Sequence, residues 1–209
     1  MRIAVVSEVS ARDKNPYILN ALEPVDAEIY NIGMSSATGG PELTYIHTGL
    51  MAAAVLATGA ADFVIGGCGT GQGFMLSAMQ YPGVCCGLVT EPLDAWLFAR
   101  INGGNCISLA LNKGFGWAGD INLKYIFEKL FSDGFGAGYP EHRSESQQES
   151  RKILSGINGL THRDMESIVK SLDRQIIHTA FGHNAFSDFI KEFSRECTLK
   201  DLILEQHNE

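Results

Sequence analysis

The residues best suited to chemistry lie in one stretch, Ala61-Asp62-Phe63-Val64-Ile65-Gly66-Gly67-Cys68-Gly69-Thr70-Gly71-Gln72-Gly73-Phe74-Met75-Leu76-Ser77-Ala78. An apolar, β-prone run ends in a glycine-dense turn with Cys68 at its mouth, and a segment able to open a helix follows. Strand, glycine turn and helix in that order point backbone N–H groups at an anion. They also place a thiol where the positive end of a helix dipole favours a thiolate. Such a thiolate could take a proton from a carbon beside a carbonyl. The loop N–H groups would stabilise the enediolate oxygen that results. Gly69, Gly71 and Gly73 leave Cys68 open to a ligand. The plainer reading of Cys68 is a small buried residue at a strand end.

Other reactive side chains have simpler explanations. Cys85, Cys86 and Cys106 lie in or beside strands and read as core, and Cys197 falls in the C-terminal region. Glu91 opens a helix and complements its dipole. Asn102 and Asn105 flank Gly103-Gly104, either as turn residues or as binders of substrate hydroxyls. His47 reads as a first-turn or surface histidine. His142, Arg143 and Arg151 sit in a polar segment that is either solvated or able to recognise an anion. His178 and His183 flank Phe181-Gly182 without metal-type spacing, and no metal site is expected.

The elements around these residues alternate. Strands are expected at residues 2–6, 26–32, 61–68, 84–89 and 105–111. Helices are expected from Pro16, over 45–58 with Gly59 as C-cap, after Gly73, over 92–99 and over 122–131. The segments 7–15 and 33–42 read as loops. This spacing implies a parallel sheet covered on both faces. Ligands bind beyond the strand C-termini in such sheets, and that edge gathers Glu8, Cys68, Thr70 and Glu91. Residues 139–150 read as a polar hinge. Residues 161–209 read as helices, with Thr161 as an N-cap and Asp164 three residues on. The expected division is a unit over 1–150 and a helical C-terminal extension over 151–209.

Composition narrows the classes. The 209 residues are 45% hydrophobic and carry a net charge of −8, which offers no general attraction to nucleic acid or an anionic membrane. No window approaches the length of a membrane span. The chain begins directly with a strand, without the pattern of a secretory leader. Five cysteines with no C-x-x-C pair argue against a disulfide framework and for a reducing cytoplasm.

The stretch Ala60-Ala61-Asp62 through Cys68-Gly69-Thr70-Gly71-Gln72-Gly73 resembles the type B ribose-5-phosphate isomerase family, which includes the galactose-6-phosphate isomerase subunits. The likeness continues through Pro82-Gly83-Val84, Thr90-Glu91-Pro92, Asn102-Gly103-Gly104-Asn105 and Leu109-Ala110-Leu111. It covers roughly residues 1–150, and the rest falls outside it. The resemblance implies a Rossmann-like three-layer α/β sandwich with a five-stranded parallel sheet. It also implies a homodimer with active sites at the interface, and aldose–ketose isomerisation of a sugar or sugar phosphate with no cofactor. Cys68 matches the catalytic base and Thr70 the threonine beside ring opening. Gly69, Gly71 and Gly73 match the anion-stabilising loop, which includes Gln72. Asn102 matches a substrate-binding asparagine. Some members use a glutamate further along the loop, where this chain has Phe74.

The departures bear on the substrate. The family's Ser-Asp-His-Ala-Gly segment is Ser7-Glu8-Val9-Ser10-Ala11 here, so Glu8 can bind sugar hydroxyls but the histidine is gone. The histidine before the matching asparagine is Ile101. The arginine after the fifth strand falls near Lys113-Gly114, and the phosphate-binding arginines have an imperfect match in Arg143 and Arg151. Arg12, Lys14, His47 and His142 could substitute. The proton-transfer groups are retained while the phosphate grip is rebuilt, so the expected substrate is a sugar or sugar derivative that need not carry a 5- or 6-phosphate. Three alternatives stand beside this: the family's ribose 5-phosphate reaction, a non-catalytic sugar-binding or regulatory protein on the same fold, and a thiol redox protein. The last lacks a resolving cysteine near Cys68.

Overall fold

The apolar runs at residues 3–6, 63–65 and 106–109 are those of strands covered on both faces, and they form the middle of one parallel sheet. The computed structural model describes residues 1–39 and 41–208. Its strands are β1 (Arg2–Ser7), β2 (Glu28–Asn31), β3 (Phe63–Cys68), β4 (Cys86–Val89) and β5 (Cys106–Ala110), in the order β2-β1-β3-β5-β4. Helices α1 (Asn15–Leu22), α2 (Tyr45–Ala57), α3 (Gln72–Ala78), α4 (Pro92–Leu97) and α5 (Gly119–Leu130) make the crossovers. The result is the Rossmann-like three-layer sandwich expected from the sequence.

Two cores follow from the period of two along each strand. Ile3, Val5, Phe63, Ile65, Ile107 and Leu109 point to one face and pack with side chains of α1, α4 and α5. Ala4, Val6, Val64, Cys68 and Cys106 point to the other, under α2 and α3. The sheet's strand order reverses at β1, whose neighbours are β2 and β3. The crevice beyond the C-terminal ends of β1 and β3 is therefore the binding position for this topology.

Several boundaries differ from the sequence reading. The loop after β1 contains a 3₁₀ helix over Val9–Lys14, and α4 continues as a π-helical turn over Phe98–Asn102. The polar segment read as a hinge is instead a 3₁₀ turn, Glu141–Arg143, leading into α6 (Ser144–Thr161). Polarity hid this helix, because α6 buries no residue and so shows no core-facing stripe. It is anchored from outside. Arg151 donates to the carbonyls of Ile101 (2.9 Å) and Gly136 (2.7 Å), and Gln147 brackets both backbone polar groups of Tyr139. Thr161 is not an N-cap. It ends α6 and returns its hydroxyl to the Ile157 carbonyl at 3.0 Å. Asp164 takes the cap by accepting the Ser167 N–H at 2.8 Å, as a short carboxylate at that position can. Residue 40 of the expected 33–42 loop and residue 209 of the extension lie outside the described residues.

Beyond α6 the chain forms α7 (Met165–Ser171), α8 (Arg174–Phe181), α9 (Asn184–Phe193) and α10 (Thr198–Asn208). These helices add Met165, Val169, Ile177, Phe181, Phe186 and Ile190 to the same apolar cluster that holds α2. Polar ties reinforce the contact: Arg2 donates to the carbonyls of Phe193 and Gly59, and Arg195 N–H donates to Thr58 O at 3.1 Å. The expected division at residue 150 falls within α6. Phe181 is fully buried and stacks on Phe186 with centroids 5.4 Å apart. Phe181→Ala should cost about 3–5 kcal/mol, measured by urea unfolding. Because α7–α10 share a core with the sheet, wild type and variant should each unfold in one transition.

Candidate active site

Parallel pairing of β1 with β3 sets Ser7 opposite Gly67, so Glu8 and Cys68, each one residue further on, emerge at the same sheet edge. Cys68 is 6% exposed and Glu8 3%. The Cys68 thiol lies 3.9 Å from the Thr70 hydroxyl. Gly71 has φ +75°, the left-handed conformation that favours glycine, and it turns the chain from β3 into α3. Its position is tight: a Cβ there would stand 2.5 Å from the Leu88 side chain.

The loop's hydrogen bonds show which N–H groups remain for a ligand. Gly69 N–H donates to Ser10 Oγ at 3.1 Å, Gly71 N–H to Cys68 O at 3.3 Å and Gln72 N–H to Thr70 Oγ1 at 3.4 Å. Met75 N–H reaches back to Gly71 O. Among the described residues Thr70 N–H and Gly73 N–H carry no hydrogen bond, whereas Phe74, whose N–H also lacks a helical carbonyl four residues back, is fully buried. Thr70 N–H and Gly73 N–H are therefore the donors of the turn left for a ligand. Gln72 and Thr70 are exposed at the loop surface.

Three further residues border the loop and were not singled out from sequence. Ser10 bonds Glu8 and Gly69. Asn112, two residues past β5, donates from Nδ2 to Ser10 O at 2.7 Å while its backbone N–H donates to Gly69 O at 3.0 Å. Tyr45 opens α2, and a Cβ on Gly73 would come within 3.1 Å of its ring. Only Ser10, two residues from Glu8, carried a positional hint. The other two arrive from distant segments by folding alone.

Asn102 and Arg143 are elsewhere in the chain's own fold. Asn102 precedes β5 at its N-terminal end, whereas Cys68 pairs with Ala110 at the C-terminal end, about 13 Å along the strand at ~3.3 Å per residue. Asn102 is exposed there. Arg143 is exposed before α6, with its Nε at 3.4 Å from Ser146 Oγ. Asn105 is structural: its side chain accepts from Cys85 N–H and donates to Gly83 O. Glu91 follows β4, which β5 separates from β3. Val9 and Ile101, at the two lost histidine positions, respectively pack on the core and offer a carbonyl to Arg151. Arg12 lies 3.8 Å from Glu42, and Lys14 pairs with Asp13 and sits over the Phe115 ring. Phe74, at the family's glutamate position, is fully buried over Gly66. Among the described residues no group of three or more His, Cys, Asp or Glu is arranged to hold a metal, and no helix is long and apolar enough to cross a membrane.

Known proteins share the family and the fold. The ribose/galactose isomerase family matches residues 3–144. A 4-deoxy-L-threo-5-hexosulose-uronate ketol-isomerase crystallised with tartrate is 38% identical, with 100% of both chains covered and a TM-score of 0.96. A ribose-5-phosphate isomerase from Vibrio parahaemolyticus is also 38% identical over 99% of both chains, with a TM-score of 0.94. The type B ribose 5-phosphate isomerase of Leishmania infantum shares the fold at 19% identity and a TM-score of 0.62, matching 76% of this chain and 96% of its own. The first two therefore include the C-terminal helices. No curated protein matches the chain.

His47 lies in the first turn of α2, two residues from Tyr45. Its Nδ1 accepts the Thr44 backbone N–H at 3.0 Å, which assigns the neutral ring its proton at Nε2. Burial pushes its pKa below the ordinary 6.5. The folded state therefore resists a proton that the unfolded chain accepts. This contribution is fully present above pH 6.5 and is lost as pH falls from there toward the lowered value. Unfolding measured at pH 7.5 and pH 5 should show lower stability at pH 5. His47→Gln, which keeps an acceptor for Thr44, should shrink that difference, and His183, also lowered by burial, should sustain the remainder.

Proposed function

The chain belongs to the ribose/galactose isomerase family, and on that premise we propose that it is an aldose–ketose isomerase in which Cys68 moves the proton through an enediolate. The observation that carries this is the placement of a thiol, a hydroxyl and a carboxylate, Cys68, Thr70 and Glu8, at one sheet edge beside two uncommitted N–H groups. The Cys68 thiolate takes the proton from the carbon next to the carbonyl of the open-chain sugar. The electron pair moves into the carbon–carbon bond, and the carbonyl oxygen becomes the enediolate oxygen beside Thr70 N–H and Gly73 N–H. The thiol then returns its proton to the former carbonyl carbon while the neighbouring hydroxyl gives its proton to the enediolate oxygen, so that the old carbonyl ends as a hydroxyl and the old hydroxyl as the new carbonyl. Thr70 stands beside the reacting oxygens, and Glu8 accepts from sugar hydroxyls. Residues 68–78 hold no glutamate to serve as the base.

The substrate we favour is a keto-sugar acid without a phosphate, of the kind named for the uronate ketol-isomerase relative. Arg151 is spent on two backbone carbonyls, and Arg12 and Lys14 lie against acidic neighbours. Lys113 is an exposed cation whose backbone N–H donates to Gly69 O at 2.9 Å, and its single charge suits a carboxylate. The second reading, ribose 5-phosphate, rests on the exposed Arg143 and on the Vibrio relative.

We further propose a homodimer, with residues 151–209 as an extension of the catalytic unit. Asn102 can serve a site only if it comes from a second copy, since its own Cys68 is at the other sheet edge, and Arg143 stands exposed just ahead of α6. Ile153, Leu154, Ile157 and Leu160 form an exposed apolar stripe on α6, suited to that contact. Five free cysteines support a reducing, cytoplasmic setting.

Incubating 4-deoxy-L-threo-5-hexosulose uronate and ribose 5-phosphate with the protein in deuterated water tests the reaction. Carbon-bound deuterium should appear with turnover, faster for the uronate. Cys68→Ala should lower turnover by about 10²–10⁴, as expected for loss of a positioned base. Retained exchange in that variant would remove Cys68 from the mechanism, and ligand-induced stabilisation without turnover would favour a binding protein. Sedimentation should give twice the chain mass, and Leu154→Glu with Leu160→Glu should return it to one.

A further inference from the structure

Glu8 is a carboxylate buried to 3% exposure, and a buried carboxylate requires hydrogen-bond donors. Among the described residues no Lys, Arg or His pairs with it. Its side chain takes a hydrogen bond from one group, the Ser10 hydroxyl. The same hydroxyl accepts the Gly69 N–H at 3.1 Å, so one oxygen joins the carboxylate to the residue following Cys68. Ser10 is itself held at its backbone, where its carbonyl accepts from Asn112 Nδ2 at 2.7 Å. Asn112 in turn grips Gly69 through its own N–H at 3.0 Å. The ends of β1, β3 and β5 thus converge on Ser10.

Building on the isomerase reading, we propose that Ser10 is a positioning residue that holds the sugar-binding carboxylate of Glu8 at a set distance from the proton-moving thiol of Cys68. Ser10 touches neither reacting carbon. It commits one carboxylate oxygen of Glu8 and leaves the other for a sugar hydroxyl. It also occupies the Gly69 N–H, which leaves the N–H groups of Thr70 and Gly73 for an oxyanion. The substrate carbon is then fixed between Glu8 and Cys68 instead of sliding along the loop.

The test compares wild type, Ser10→Ala and Ser10→Thr. Turnover of 4-deoxy-L-threo-5-hexosulose uronate and of ribose 5-phosphate is measured beside the hydrogen-exchange rate of the Gly69 amide. Ser10→Ala should lower kcat/KM about ten- to a hundredfold on the preferred substrate, the range for losing a hydrogen bond to a charged group. Part of that loss should fall in kcat. The Gly69 amide should exchange faster, and the melting temperature should fall because the buried carboxylate of Glu8 loses its donor. Ser10→Thr keeps the hydroxyl and should restore both turnover and amide protection. Wild-type kinetics in Ser10→Ala would overturn the proposal, as would a loss confined to KM or one that Ser10→Thr does not repair. Cys68→Ala run alongside separates the two ideas. Activity surviving there removes the thiol mechanism, whereas a silent Ser10→Ala beside an inactive Cys68→Ala removes only the positioning role.

Discussion

Ser7 faces Gly67 across the parallel β1–β3 ladder, and everything at the site is measured from that register. One residue beyond the pair, Glu8 and Cys68 leave the sheet side by side. A slip of one residue would turn Cys68 to the opposite face of the sheet, into the core beneath α1, α4 and α5 and away from Glu8. The register is held by apolar burial on both faces, with Ile3, Val5 and Ile65 locked under one helical layer and Ala4, Val6 and Val64 under the other. The chemistry at the edge therefore depends on packing that begins several residues below it.

Small residues let that edge approach closely. Phe74 lies over Gly66, where a Cβ would fall 2.1 Å from the ring, and Gly67 meets the Leu109 carbonyl, where a Cβ would fall 2.4 Å away. Without side chains at these two positions, α3 settles onto β3 and β5 settles beside it. The same contact buries Phe74 between helix and sheet.

The C-terminal helices act on the site at a distance. They cover α2 and extend its apolar cluster, and α2 in turn presents Tyr45 to Gly73. Helix α6 is different in kind. It crosses the opposite sheet edge with no buried residue, held by Arg151 on two carbonyls and by Asn158, which accepts from Gly83 N–H at 2.9 Å. Its apolar stripe of Ile153, Leu154, Ile157 and Leu160 is left facing outward.

Sequence alone determined the strands, the glycine turn and the position of Cys68 at its mouth, because continuous apolar runs and glycine-dense turns are local signals. Tertiary structure decided which candidates meet. Glu8 joins Cys68 because two strands 60 residues apart in sequence pair in register, while Asn102, matched by motif, is carried to the far edge by the direction of β5. The Ser10 link and the approach of Asn112 and Tyr45 were not legible, and neither was α6 behind its polar composition. Hydrogen bonds between strand-end loops leave no periodicity in the chain. They exist only once the sheet has brought those loops together.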